Sequence, residues 1–562
     1  MARLRYHPAT PNLVRTLSTE TPPLAAQAPA PQQRAEKLNT RAAGIVGLAV
    51  LCSRVLGLAR EQVFAALFGG GKVMDAFTIA FRTPNLLRDL FAEGALSTAF
   101  VTTFSKTTAT EGDAAAFRLA NKVATLALVT LGVIVLIGMA IAPWLVALLA
   151  PGFDADKAHL TVTLARIMYP FILLVSLAAL VMGMLNAKNV FGVPAMASSF
   201  FNVGSIAGGV LIGWWIDPHF GPGAVLGLAV GTLIGGALQL GVQLPRLVRL
   251  GYVFRPDFIW RDPGVRTILR LMGPSVVAAS ATQVNVLINS IFASQLGDGP
   301  TFWLAIAFRL MQLPLGIFGV ALGTVALPLL ARLAAVGDIP SFRAELARGL
   351  RLAFRMTIPA TIGLIMLAEP IISVLYQHGR FGAHETREAA GALRFYAIGL
   401  GAYAALKVLV NAFYAIDRRK TPMMVGFAAV GLNLALNGLF TWRLGWGHRG
   451  LAFSTACVAL SNFLILYLLM HRHLKRFETR ELVELVGKVL LASLVLAAVC
   501  WMGAHWLLAD WESAHFWPKL CYLVGTIALA GLAFVACAAA LRISEIRLIM
   551  QAVRRRLARA AG

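Results

Sequence analysis

The sequence contains little charge, and acidic residues are especially few. Charged residues make up 14% of the 562 positions, whereas ordinary soluble domains contain about 25%. There are 26 acidic residues against 50 lysines and arginines, 58% of the chain is hydrophobic, and the mean hydropathy is +0.74. This composition excludes a soluble globular domain and predicts an all-α polytopic membrane protein, whose partner is the lipid bilayer.

Cysteine is scarce, and catalytic motifs are missing. The five cysteines all lie in apolar stretches without a CxxC pair, which excludes a zinc site or disulfide framework of recognisable spacing. The sequence also lacks a Walker A loop, HExxH, GxSxG and an EF-hand, so it predicts neither an enzyme nor a cofactor or metal. The net charge of +24 is typical of the positive-inside rule and does not predict a nucleic-acid partner.

Long apolar runs dominate what is present. They predict about fourteen transmembrane helices, at approximately 42–68, 74–105, 118–149, 159–187, 190–215, 222–245, 265–296, 301–332, 346–377, 386–416, 421–443, 449–471, 483–508 and 517–541. Cations concentrate in the loops that alternation places on one side, such as Arg418-Arg419-Lys420, and in the two termini, whereas the opposite loops contain fewer, scattered cations such as Lys157. This asymmetry predicts that both termini are cytoplasmic.

An internal repeat divides the chain. The tetrapeptide IAFR occurs at 79–82 and again at 306–309, an offset of 309 − 82 = 227, and Asn186-Ala187 recurs as Asn411-Ala412 at an offset of 225. Near-constant offsets predict two six-helix repeats, which are parallel because six is even. The predicted layout is a disordered cytoplasmic tail (1–41), an N-lobe (42–245), a basic cytoplasmic linker (246–264), a C-lobe (265–471), a linker and C-terminal helix pair (472–541) and a basic cytoplasmic tail (542–562).

The stretch 53–105 is apolar enough for a bilayer and yet contains many ionisable residues. Each charge at the centre of a membrane helix costs about 2.5–3.5 kcal/mol on insertion scales, so the set requires a watery cavity, ion pairs or an anionic ligand. Asp75 and Arg82 are two helical turns apart and should share one helix face. The candidate cavity residues are Arg54, Arg60, Asp75, Arg82, Arg88, Glu93, Arg309 and Lys407.

Arginine is the residue type that points to a ligand here. Its planar guanidinium pairs with phosphate through two hydrogen bonds, so an arginine-lined cavity predicts a phosphate-bearing substrate. Asp75 and Glu93 would tune the arginines or neutralise them without ligand. Lys407 is equally consistent with helix packing or snorkelling. Gln283, Asn285 and Asn289 recur on one span and predict interhelical hydrogen bonds.

Several stretches resemble a known family. SRVLGLARE, DAFTIAFRTPNLLRDLFAEGALSTAF and GVALGTVALP are similar to the MurJ/MviN family of lipid II flippases, within the multidrug/oligosaccharidyl-lipid/polysaccharide exporter superfamily, and the likeness covers roughly 42–541. The resemblance implies two six-helix lobes, a cationic central cavity and a groove beside the last two helices for an undecaprenyl tail. It places the family's functional arginines on Arg54, Arg60, Arg88 and Arg309 and its cavity acid on Asp75. Phe308 and Gln312 stand where many relatives have acids.

The resemblance implies a function. The expected cargo is undecaprenyl-diphosphate-linked disaccharide-pentapeptide, moved from the cytoplasmic to the periplasmic leaflet of a bacterial inner membrane by alternating access of the repeats. Cell-wall synthesis proteins are further expected partners, and the membrane potential or a monovalent cation would supply the coupling. Two alternatives stay open: an exporter of another lipid-linked glycan or amphipathic drug, and a non-transporting scaffold for wall synthesis.

Overall fold

The computed structural model describes residues 40–89, 96–475, 478–507 and 516–543. Within these ranges the secondary structure is helical, with no strand. The α-helices are α1 (Thr40–Phe68), α2 (Lys72–Arg88), α3 (Ser97–Glu111), α4 (Asp113–Leu149), α5 (Ala155–Met168), α6 (Phe171–Ala187), α7 (Gly192–Ile216), α8 (Val225–Gly241), α9 (Leu244–Arg249), α10 (Pro263–Ser294), α11 (Pro300–Val336), α12 (Ile339–Met366), α13 (Ala368–Tyr376), α14 (Ala383–Ile398), α15 (Leu400–Ala415), α16 (Lys420–Gly438), α17 (Gly447–Leu474), α18 (Thr479–Met502) and α19 (Phe516–Ala540).

The multi-span helical class is confirmed. Each of the fourteen predicted apolar runs contains one helix or two consecutive helices. Among the described residues, nine helices are long and apolar enough to cross a membrane, or ten if the bent pair α14–α15 forms one span. The exact number of fourteen crossings therefore stays a prediction. The predicted N-terminal and C-terminal tails fall almost wholly outside the described residues, as does Glu93.

The two halves share an interrupted helix at equivalent places. In the first half α5 ends just before Pro170, and α6 begins at Phe171. Proline lacks the amide hydrogen that would continue the helix, which accounts for this break. In the second half α14 and α15 are separated by Gly399 and bent by 42°. The start of α14 follows that of α5 by 383 − 155 = 228 residues, close to the offsets of the sequence repeat.

Glycine allows the closest helix packing in the first half. A Cβ atom on Gly231 of α8 would collide with the backbone of Gly209 on α7, and one on Gly235 would lie 2.5 Å from the Phe201 carbonyl oxygen. Small residues let helix backbones approach closely in a membrane, where dispersion contacts replace the hydrophobic driving force. The pair α7–α8 then packs against α1 and α6 and holds α1 beside the centre of the molecule.

The linker between the halves is held against α4. The Asn121 side-chain amide donates to the Val253 carbonyl oxygen (3.2 Å), and the Asp257 backbone amide donates to the Thr125 hydroxyl (3.0 Å). Lys122 forms an ion pair of 2.7 Å with Asp262, the N-cap residue of α10. Helix α10 contacts α3 and α4 of the first half and α11, α16 and α17 of the second. It therefore bridges the halves, although the sequence assigns it to the C-lobe.

A buried ion pair joins the halves at one end. The Lys157 ammonium group at the start of α5 lies 2.9 Å from the Asp75 carboxylate on α2 and 2.8 Å from Asp298, in the turn between α10 and α11. Lys157 and Asp75 are 2% and 0% exposed. Asp75 also accepts hydrogen bonds from the backbone amides of Gly299 (2.7 Å) and Phe302 (2.9 Å). We call Asp75, Lys157, Asp298 and these amides the latch.

Further contacts close the same end of the molecule. Arg380, between α13 and α14, donates its backbone amide to the Ala66 carbonyl oxygen of α1 (2.9 Å). Its guanidinium donates to the carbonyl oxygens of His219 (2.7 Å) and Phe220 between α7 and α8. Gly152 packs so tightly on Ser294 that a Cβ atom would lie 2.5 Å from the Ser294 carbonyl oxygen. Backbone carbonyls of the first half are thus hydrogen-bonded by the second.

The C-terminal helix pair packs on the flank of the second half. Helix α18 contacts α12 and α19, and α19 contacts α13. Ala492 is fully buried in this packing, with Val489 and Leu496 on the same face of α18. Gly525 on α19 has open space where a Cβ atom would stand. A groove for an undecaprenyl tail at this pair therefore stays a prediction, and Ala492 is a packing residue that would not line it.

The orientation of the chain can be tested with cysteines at opposite ends. In a cysteine-free background, we expect Asp156→Cys at the latch end to react with an impermeant thiol reagent added outside the cell. Arg419→Cys should react only after the membrane is permeabilised, because its loop is basic. Both native side chains are exposed, so reagent access does not limit labelling. Equal labelling of both positions from outside would contradict the predicted orientation.

The latch predicts that a variant lacking one charge of the pair will open this end more than a variant lacking both. Lys157→Met should loosen the latch end, because removing one partner of a buried pair costs about 3–5 kcal/mol. The measurement is the distance between spin labels on Asp156→Cys and His384→Cys, which should lengthen and broaden. Adding Asp75→Asn should partly restore the native distance, because no lone buried charge remains. A distance distribution unchanged by Lys157→Met would show that the ion pair does not hold this end closed.

Candidate functional site

Two adjoining cavities lie between the halves. The larger has a volume of about 610 Å³ and the smaller about 380 Å³. They share a wall formed by α2, α10 and α11, whose residues are Arg82, Asn85, Val286, Ala305, Phe308, Arg309 and Gln312. Because α2 belongs to the first half and α11 to the second, the shared wall is built from both repeats.

The smaller cavity contains the cationic cluster. Arg60, Arg82 and Arg309 all line it, and the acidic residues Glu61 and Asp89 lie among them. Arg60 also lies over the Phe201 ring, with its guanidinium carbon 5.1 Å from the ring centre. Its Nε atom is buried and donates to no described residue. Three guanidinium groups from α1, α2 and α11 thus converge on a space that could hold an anion.

Arg82 and Arg309 occupy matching positions of the repeat and both face the cavities. Arg82 donates to the Ser290 hydroxyl and to the Val286 carbonyl oxygen (3.4 Å) on α10. Asp75 and Arg82 both bond to the second half, which confirms that they share one face of α2. The ion pair of Asp75 is with Lys157 in the latch. From the sequence, Lys157 is only a loop cation and not a candidate site residue.

Glu61 is a site residue that the sequence analysis missed. Its carboxylate forms an ion pair with Arg309 on α11 and accepts a hydrogen bond of 3.2 Å from the Tyr376 hydroxyl on α13. Glu61 therefore connects α1 to the second half from inside the smaller cavity. Its position next to Arg60 within an apolar run was the available signal, because an intramembrane acid needs a partner.

The remaining candidate residues lie beside the two cavities. The Arg88 guanidinium is 2.8 Å from Asp89, and it is within electrostatic reach of Arg60. Arg54 packs against the backbone of Gly316 on α11 and lies near Lys407. Arg54, Arg88 and Lys407 line neither of these two cavities. Their assignment to substrate binding stays a prediction.

The larger cavity has a different chemistry. Arg82 and Arg309, both on the shared wall, are its charged lining residues among those described. The rest of its polar lining consists of amides, phenols and hydroxyls, contributed by Asn85, Asn285, Asn289, Ser290, Thr301, Gln312, Tyr396, Tyr403, Asn433, Thr455 and Asn462. Within the described ranges, no group of three or more His, Cys, Asp or Glu side chains could hold a metal ion.

The amides of the larger cavity fall into two groups. Asn289 accepts hydrogen bonds from Asn433 (3.0 Å) and Asn437 (2.8 Å) and donates to Thr455 (3.2 Å), which ties α10 to α16 and α17. Gln283, which lines the smaller cavity, donates to Asp89 at 3.4 Å. The predicted interhelical bonds are therefore confirmed for Gln283 and Asn289. The Asn285 carbonyl oxygen, in contrast, is buried without a hydrogen bond from any described residue.

Comparison with known proteins places the chain in a family. Residues 64–521 match the family model described as "Lipid II flippase MurJ". A lipid II flippase MurJ of Burkholderia cenocepacia is 37% identical over 480 residues, which cover 83% of this chain and 90% of that protein. A probable lipid II flippase MurJ of Vibrio cholerae is 35% identical over 509 residues, with 88% and 94% covered.

Solved structures agree with this assignment. The structure titled "Lipid II flippase MurJ, inward closed conformation" matches with a TM-score of 0.72 at 25% identity, over 89% of this chain and 99% of that one. An inward-facing multidrug resistance MATE family transporter of the MOP superfamily matches with a TM-score of 0.55 at 15% identity, over 77% and 94%. The second likeness concerns the fold alone. By sequence and by structure, this chain is a member of the MurJ family of lipid II flippases.

Proposed function

We propose that this protein flips lipid II from the cytoplasmic to the periplasmic leaflet of a bacterial inner membrane. The observation that carries the proposal is the convergence of Arg60, Arg82 and Arg309 on one cavity between the repeats. A diphosphate diester carries two negative charges, and guanidinium groups pair with phosphate oxygens through parallel hydrogen bonds. An amphipathic cationic drug would instead meet repulsion there, which disfavours a drug exporter.

Ligand exchange at Arg309 would couple substrate binding in the cavity to movement of the two halves. In the structure, Glu61 neutralises Arg309, and Arg88 neutralises Asp89. An incoming diphosphate would replace Glu61 on Arg309, so the Arg309 guanidinium remains paired throughout. This exchange would break the ion pair that joins α1 to α11 and leave Glu61 with only its Tyr376 hydrogen bond to the second half. Substrate binding would thereby weaken the contacts that hold the two halves together, which is what alternating access requires.

The energy source for transport follows from the charge that crosses the membrane during the cycle. A membrane potential acts on each transferred charge with about 2.3 kcal/mol per 100 mV. We propose that it biases the charged intermediates of the cycle, and a monovalent cation would act in the same way. The latch end would face the periplasm, so opening it would release the headgroup there.

Removal of the candidate arginines, two that line the smaller cavity and two beside it, should abolish flipping while the protein still accumulates. Arg60→Ala and Arg309→Ala, as well as Arg54→Ala and Arg88→Ala, are each expected to fail to support growth of a flippase-depleted bacterium. Lysine replacements should rescue partly, because an ammonium group lacks the planar fork. The readout is growth together with exposure of lipid II at the outer surface. Arg443→Ala is the matched control, since Arg443 is exposed and lines neither cavity.

One double variant separates a ligand role of Arg309 from a structural one. If Arg309 serves only to pair with Glu61, then Arg309→Ala with Glu61→Gln should restore flipping, because no unpaired acid remains. If Arg309 binds the diphosphate, the double variant should stay inactive. Normal growth on each of the four single alanine variants would refute the diphosphate site.

The C-terminal helix pair provides a separate test of the lipid-tail groove. Gly525→Trp fills open space on α19 and should slow transport of a full-length polyprenyl lipid without lowering thermal stability. Ala492→Trp is the contrasting variant, because overpacking a fully buried site costs about 1–3 kcal/mol, and it should lower stability instead. Crosslinks from a photoreactive polyprenyl chain should fall on α18 and α19. Crosslinks elsewhere, with normal transport by Gly525→Trp, would exclude the groove.

A further inference from the structure

The two cavities differ in a way that a single diphosphate does not explain. The smaller cavity contains the arginine cluster, whereas the described lining of the larger one is charged only on the wall that both share. The larger cavity, about 610 Å³, falls within the range of ligand sites, roughly 300–1,000 Å³. A diphosphate group fills little of that volume. The larger cavity is therefore available to a second part of the substrate, one that is uncharged and rich in hydrogen-bonding groups.

Two amide oxygens without a hydrogen-bond donor indicate which groups this second part of the substrate must contain. The carbonyl oxygens of Asn85 and Asn285 are both buried, and neither accepts a hydrogen bond from a described residue. Both side chains line the larger cavity. A buried acceptor without a donor costs about 1–3 kcal/mol, so such atoms are typical of sites that a ligand completes. The ligand must supply donors, such as hydroxyl or amide N–H groups.

The neighbouring amides have hydrogen-bond partners, so the missing donor distinguishes Asn85 and Asn285 from them. Asn289, Asn433 and Asn437 satisfy one another and Ser454 across α10, α16 and α17. That network fixes the position of α10 and leaves Asn285, one turn earlier, facing the cavity. Tyr396 and Phe308 stack edge to face at 5.3 Å, and Tyr403 adds a second phenol to the lining. Amphipathic aromatic rings of this kind suit the apolar faces of a sugar ring.

We propose that the larger cavity is a glycan compartment, in which Asn85 and Asn285 accept hydrogen bonds from the hydroxyl and acetamido groups of an N-acetylated sugar. The proposal rests on the proposed function, since it places the sugar next to a diphosphate held at Arg60, Arg82 and Arg309. A neutral sugar fits this lining better than a peptide stem, whose carboxylates would need cations beyond the shared wall. Asn85 and Asn285 are therefore specificity residues for the headgroup.

Three lipid probes and three variants test the glycan compartment. The purified full-length protein in nanodiscs is titrated with undecaprenyl diphosphate, undecaprenyl-diphospho-N-acetylglucosamine and lipid II. Asn285→Leu should leave the affinity for undecaprenyl diphosphate unchanged and weaken binding of both sugar-bearing lipids by about fivefold, the effect expected for one hydrogen bond. Asn85→Leu should also weaken the sugar-bearing lipids, but Asn85 stands on the wall shared with the arginine cavity, so the unchanged affinity for undecaprenyl diphosphate is expected of Asn285→Leu alone. Asn285→Gln retains an uncharged amide oxygen and should lose less than Asn285→Leu.

The controls separate failure of this inference from failure of the proposed function. Asn411→Leu, on α15 and outside both cavities, should bind all three lipids normally. Weakened binding of lipid II alone by Asn285→Leu would assign the cavity to the peptide stem and overturn the glycan compartment. Equal weakening of all three lipids, or of none, would also overturn it. Failure of the unmodified protein to bind undecaprenyl diphosphate would instead contradict the arginine site and the proposed function.

Discussion

Charge enclosed within a membrane protein must be paired, and this constraint shapes the junction between the two halves. The ion pair of Glu61 with Arg309 lies at the cavity, and that of Lys157 with Asp75 lies at one end. In the first, Glu61 of the first half pairs with Arg309 of the second. In the other, both partners belong to the first half, and Asp298 and two backbone amides of the second half bind them. Breaking the enclosed pair of Lys157 with Asp75 leaves a charge without water, which is unfavourable by several kcal/mol. The halves are thus connected by interactions that are strong when complete.

The two junctions differ in what can replace them. Asp75 is fully enclosed and satisfied by an ammonium group and two backbone amides, so no space remains for a ligand. Glu61 and Arg309 border an open cavity, where an anion can reach the guanidinium. The enclosed junction therefore suits a structural latch, and the open one suits substrate exchange. This division lets one chemistry, the buried ion pair, serve both closure and recognition.

The repeats contribute unequally to the cavities. Arg82 and Arg309 match across the repeat and stand on one shared wall. Beyond that wall, the second half contributes amides and phenols, while the first contributes Arg60, Glu61 and Asp89. Phe308 and Gln312, at positions that are acidic in many family members by the resemblance, line both cavities as uncharged side chains. The described lining of the larger cavity is consequently free of acids, and this makes it suitable for a neutral polar group.

The sequence by itself determined the helical membrane class, the repeat and the family, because hydropathy and motif spacing are local properties of the chain. It also singled out the arginines, since charge within an apolar run requires an explanation wherever it folds. Only the tertiary structure decided the partners. In the sequence, Lys157 is only a loop cation. The fold places its ammonium group 2.9 Å from Asp75, which is 82 positions away in the chain. In the sequence, Asn285 is one of several amides expected to bond between helices. The packing of α10 leaves its carbonyl oxygen without a hydrogen-bond donor among the described residues. Such pairings depend on contacts between residues far apart in the chain, and a single sequence does not encode them as any local pattern.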